Sequence, residues 1–256
     1  MASSYVRRMT SGVWLVLAVA GASQADAQWG TVKGQVTVTG ALPTLPVLVR
    51  AADPAVKNAN ICAAADIPNE TFVADPQSGG LANVLVFVVT KPANIHPDLE
   101  TSLAAEVTLR IKGCRFVPHF LLVRTDQKVR VISEDPIAHN VHTTPAKNRE
   151  ANMIITNQDA TGIVLPPMNQ SERLPFRVRD DLHPWMSAQF LVLDHPYAAI
   201  TNERGEFEIP VLPEGDHELR VWHERIGYIE RSMVVTVKKG MNLLPAMTVA
   251  AERFQK

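Results

Sequence analysis

From residue 28 onward, apolar side chains recur mainly at every second position, the period of a strand with one buried face. Stretch 31–39 alternates valine with polar residues and stops at Gly40, with Pro43 and Pro46 close behind. Stretch 82–90 follows Gly79-Gly80 and is almost continuously apolar, which predicts a strand buried on both faces. Strands are further predicted at 107–112, 120–123 and 129–133, the last two joined by an Asp126-Gln127 turn. Others follow at 172–178, 188–193, 206–209, 217–222, 233–237 and 246–249. One short helix is expected over 97–105, and the polar, aperiodic stretch 145–170 reads as a long loop. Short strands punctuated by turn residues predict an all-β chain of sandwiches or barrels.

Composition narrows this picture. Prolines (18) outnumber glycines (13), which suits many turns rather than long helices, and 46% hydrophobic residues suffice for a real core. With 25 basic and 26 acidic side chains, the chain lacks the overall positive excess of an electrostatic nucleic-acid binder or a polybasic lipid-binding segment. Residues 1–27 have the layout of a signal peptide: Arg7 and Arg8, an apolar run at 13–20, then Ala25-Asp26-Ala27 as a small-x-small cleavage site. An uncleaved N-terminal anchor is the alternative. Export to the periplasm, or secretion, with no membrane span in the mature chain, is the expectation. In such an oxidising compartment Cys62 and Cys114 read as a disulfide; the competing reading makes Cys114 a metal-binding thiolate near His119.

The last third carries a turn at 201–207 entering a strand, then Leu212-Pro213-Glu214-Gly215-Asp216 entering Glu218-Leu219-Arg220-Val221-Trp222. This resembles the carboxypeptidase regulatory-like (transthyretin-like) β-sandwich, whose first strand is similar to Gly34-Gln35-Val36. The resemblance implies two β-sandwich modules, with 28–104 and 195–256 forming a regulatory-like sandwich and a second module inserted at 105–194.

Two short stretches within that insert bring chemistry. Asp135-Pro136-Ile137-Ala138-His139-Asn140-Val141-His142 follows a strand, and Asp180-Asp181-Leu182-His183-Pro184-Trp185-Met186 lies between two. Imidazole with thioether favours copper over zinc, calcium or magnesium. The stretches resemble the ligand loops of cupredoxins, amicyanin-type ones above all, with Phe116-Val117-Pro118 similar to the first strand. The resemblance implies a Greek-key module with His139 and His183 as ligands, Met186 as the axial thioether and His142 as a neighbour that is not a ligand. The family's cysteine falls on Asp180. A carboxylate there would favour Cu(II), lower the reduction potential and remove the blue colour that a copper–thiolate bond supplies. The run through Asp194-His195-Pro196-Tyr197 to Val221-Trp222-His223-Glu224 also resembles methylamine-utilisation-like exported proteins, which implies an architecture without implying a reaction. No nucleophile elbow, zinc-protease helix or phosphate-cradling glycine loop is present. The expectation is a non-enzymatic copper-binding protein with metal ligands His139, Asp180, His183 and Met186, exchanging electrons with a partner such as a c-type cytochrome. The alternative is a metal-free, carbohydrate- or protein-binding scaffold.

Overall fold

The period-2 pattern becomes seventeen strands in the computed structural model, which describes residues 28–255. The expected export signal at 1–27 lies outside the described residues. In chain order the first six strands are β1 (Trp29–Thr39), β2 (Leu85–Val88), β3 (Glu106–Ile111), β4 (Phe116–Val117), β5 (Phe120–Arg124) and β6 (Lys128–Ser133). Next come β7 (His139–Thr143), β8 (Ala151–Ile155), β9 (Ile163–Val164), β10 (Phe176–Arg179), β11 (Ser187–Leu193) and β12 (Ala198–Ile200). The last are β13 (Glu206–Pro213), β14 (Gly215–His223), β15 (Gly227–Val237), β16 (Gly240–Leu243) and β17 (Met247–Ala250).

Four sheets form two sandwiches. One pairs the sheet β13-β1-β16, with β17 also on β1, against β12-β2-β14-β15 around Val32, Val36, Val86, Ile209, Leu219 and Val221. The other pairs β5-β11-β10-β7-β8 against β4-β3-β6-β9 around Leu109, Phe116, Val131, Val141, Val178 and Phe190. Three of the four sheets are mixed, with β1 parallel to β16 and β17, β3 to β6, and β5 to β11, whereas β12-β2-β14-β15 is antiparallel throughout. Gly34 lies opposite Phe207 on β13, and a Cβ there would come within 2.6 Å of the Phe207 ring, so glycine makes room for that core side chain.

The sandwiches stack because β2 and β11 are buried on both faces. On β2, Val86 and Val88 face their own core, while Leu85 and Phe87 turn to the junction. On β11, Phe190 and Val192 face inward, while Leu191 and Leu193 meet Leu85, Phe87 and Phe120. Burying each such side chain contributes about 1.5–3 kcal/mol. Polar contacts cross the junction as well: the buried His119 ring, which also meets Ser187 O through Nδ1 (3.1 Å), reaches Glu224 Oε1 through Nε2 (2.5 Å), and Gln189 Nε2 donates to Glu224 Oε2 (3.3 Å). Burial opposes a charge on that ring, but Glu224 outweighs it and holds the imidazole pKa above its ordinary value.

Two local expectations are corrected. The stretch 145–170 contains β8 and β9; on β8 only Ala151 and Ile155 are buried, four residues apart, and this hides the strand period. The helix expected over 97–105 shrinks to a 3₁₀ turn, Pro97–Leu99. Arg124 donates to the carbonyls of Leu99 and Glu100, and Asp126 accepts from Ser102 N, so side chains of the β5–β6 turn hold the backbone groups that a longer helix would have used.

Candidate metal centre

β7 is buried along its whole length, and His139 opens it with a fully buried ring. The second contributor is the turn joining β10 to β11. There Asp180 Oδ1 accepts from the backbone N–H of Leu182 (2.7 Å) and His183 (3.1 Å), and Met186 N donates to His183 O (2.9 Å). This side-chain-capped turn is a local habit of aspartate. It leaves Oδ2 aimed inward, where the Nδ1 atoms of His139 (2.8 Å) and His183 (3.0 Å) both reach it. The two rings lie 4.7 Å apart between centroids, and the candidate ligand atoms of His139, Asp180 and His183 all fall within 4.8 Å of one another.

The far sides of both rings are also held. His139 Nε2 meets Asp135 Oδ2 at 3.0 Å, and Asp135 accepts from the N–H groups of Gly113 and Cys114. His183 Nε2 meets Asn58 Oδ1 at 3.0 Å. Asn58 belongs to a segment that leaves the first sandwich: Val49, Cys62, Ala63 and Ile67 all join the core of the second. Cys62 is disulfide-bonded to Cys114, so the competing thiolate reading of Cys114 is set aside. Trp185 packs edge-on against His183 at 5.4 Å and donates through Nε1 to Cys114 O. The cluster is thus roofed by a segment from the N-terminal part of the chain and pinned by a cross-link spanning 52 residues. Loop-closure entropy puts the disulfide's contribution at about 4 kcal/mol, so Cys62→Ser with Cys114→Ser is expected to lower the free energy of unfolding by about that amount, measured by urea unfolding.

The electrostatics follow from the contacts. Both ring nitrogens of His139 face carboxylate oxygens; burial disfavours its charge, but Asp135 and Asp180 overcome this and raise its pKa. Burial likewise works against the ionised Asp180, yet hydrogen bonds from His139, His183 and Leu182 N hold its pKa far below the usual carboxylate range. Asp135 is lowered for the same kind of reason.

Of the residues expected from sequence, His139, Asp180 and His183 come together. Met186 is buried at the end of the same turn, with its side chain in the hydrophobic core of this sandwich. His142 points elsewhere, to Asp181 (2.7 Å) and Glu150 (2.8 Å), as a neighbour rather than a member of the cluster. Asp135 and Asn58 were missed. Asp135 had a signal, four residues before His139 at a strand end, whereas Asn58 had none because the excursion that carries it is purely tertiary.

No family model matches this chain, and no curated protein matches it. Among solved structures it is similar to amicyanin from Paracoccus versutus, at 15% identity and a TM-score of 0.29, covering 42% of this chain and 97% of that one. It is also similar to a purple cupredoxin from Nitrosopumilus maritimus, at 13% identity and a TM-score of 0.28, covering 34% of this chain and 98% of that one. A copper-containing nitrite reductase from Thermus scotoductus is similar at 15% identity and a TM-score of 0.28, over 34% of this chain and 22% of the reductase.

Proposed function

We propose that this is an exported, non-enzymatic copper-binding protein in which His139, His183 and Asp180, with Met186 beside them, hold one copper ion. It would serve copper handling or slow electron exchange with a periplasmic partner such as a c-type cytochrome, with the regulatory-like sandwich as a supporting module. The observation that carries this reading is the convergence of two imidazole Nδ1 atoms on one carboxylate oxygen in a buried site. When bound, copper would supply a one-electron centre. The chain's own residues fix the donors, exclude water and tie up the outer ring nitrogens through Asp135 and Asn58. His139, now bonded to two carboxylates, must yield a proton to bind a cation, so loading is expected to release protons.

Titrating the purified, chelator-treated protein with Cu(II) is expected to give one-to-one binding that is lost in His139→Ala with His183→Ala. No intense band near about 600 nm is expected, because the donor set lacks a thiolate. Binding that is absent, or that survives loss of both histidines, rejects the proposal. One observation favours the metal-free reading: every polar atom of the cluster already has a hydrogen-bond partner, so it could stand as a buried charge network inside a carbohydrate- or protein-binding scaffold. In that case Cu(II) fails to bind, and glycan-array or pull-down binding survives loss of both histidines.

A further inference from the structure

Where the two sandwiches meet, a cleft of about 500 Å³ opens between the start of β10 with the segment before it and the β14–β15 hairpin. It is lined by Lys147, Arg173, Arg177 and Arg220, four cations in a chain whose formal net charge is −1. Among the described residues none of the four forms an ion pair with a carboxylate. The single carboxylate in the lining, Glu172, is buried and engaged by neutral donors: the N–H groups of Ala146, Lys147 and Asn148 and the Asn148 side-chain amide. Its carboxylate is held by amides rather than by a cation, and the lining still carries three more cations than carboxylates.

Arg220 is the built part of this cleft. Its guanidinium carbon lies 5.8 Å from the Phe87 ring centroid and 5.6 Å from that of Tyr228. Its Nε donates to Arg231 O (3.2 Å) and its Nη1 to Arg173 O (3.0 Å). Two aromatic rings and two carbonyls thus fix a cation whose Nη2 makes no hydrogen bond among the described residues. A preorganised fork of this kind loses little side-chain entropy when it meets an oxyanion. The cleft has the size of a small-ligand site, and a recess of about 150 Å³ sharing Lys147, Arg173 and Arg220 lies beside it.

We propose that this inter-sandwich cleft binds a small ligand carrying at least two tetrahedral oxyanion groups, phosphate or sulfate esters, with Arg220 as the central contact. Four cations lining one cleft match a multiply charged oxyanion, whereas the chain's formal net charge of −1 lacks the overall positive excess that binding to a nucleic-acid backbone uses. Calorimetry at low salt on the metal-free protein, with inorganic pyrophosphate in one arm and a disulfated disaccharide in the other, separates the two sources. At least one probe is expected to bind with a dissociation constant below about 1 mM and to weaken as salt rises. Arg220→Gln, and separately the exposed pair Arg173→Gln with Arg177→Gln, should each weaken binding about tenfold or more. His139→Ala with His183→Ala should leave it unchanged, so this proposal and the copper reading fail independently. The absence of binding by either probe at about 1 mM overturns the proposal. So does affinity that is untouched in the Arg173/Arg177 double variant, which keeps the fixed Arg220 and the junction intact.

Discussion

Replacing Asp180 by alanine is expected to lower the free energy of unfolding by about 3–5 kcal/mol, the usual cost of removing one partner from a buried ionic pair. Asp180 is almost completely buried and serves four donors at once. Without it, the His139 ring keeps only Asp135, His183 Nδ1 loses its acceptor, and the N–H groups of Leu182 and His183 lose their cap. Asp180→Asn should cost less, because its carbonyl can still cap the turn. Urea unfolding in the presence of chelator reads this effect apart from any bound metal; a midpoint equal to that of the parent protein would mean the carboxylate is not the hub described here. Asp180→Cys adds a second readout, since a thiolate between the two imidazoles should give an intense band near about 600 nm with Cu(II).

Acid should destabilise the protein well before its carboxylates titrate. His195 and His223 are buried, and burial pushes both imidazoles down to about 4 from an ordinary 6.5. Each uses Nδ1 to accept a backbone N–H, from Tyr197 and Arg225 respectively, which requires the neutral ring. Because the folded pKa is depressed, the unfolded chain takes up protons that the folded chain refuses. Stability is therefore intact above pH 6.5, declines as pH falls from 6.5 to about 4, and levels off below that. The difference corresponds to roughly 3 kcal/mol per ring. His119 works in the opposite sense: with its pKa raised by Glu224, its contribution is full below pH 6.5 and is lost as pH rises through the raised value. The melting temperature should therefore peak near neutrality and fall toward pH 4. In His195→Gln with His223→Gln the acid limb should flatten, and an unchanged slope there would refute the assignment.

Alternation of apolar residues was enough to locate most strands, and a continuous apolar run located the doubly buried stretch that became β2, because both patterns are local properties of the chain. It failed where burial is sparse, as on β8, and where side chains from elsewhere capture a backbone, as at 99–102. Two electrostatic features were also hidden. Net charge averages over the chain, so the cationic cleft emerges only when Lys147, Arg173, Arg177 and Arg220 are brought to one junction. His119 lies between β4 and β5, yet its partner Glu224 comes from the other sandwich.

For the candidate centre, the resemblance of two short stretches to cupredoxin ligand loops singled out His139, Asp180, His183 and Met186, each loop carrying its donors within a few consecutive residues. Which atoms meet was decided only by the tertiary structure: the Asp180 turn aims Oδ2 at both rings, Asp135 backs His139, and Asn58 arrives from a segment more than a hundred residues before His183. Donor identity is written residue by residue, but convergence, burial and the counter-charge behind each ring depend on packing between distant parts of the chain, and no local pattern encodes them.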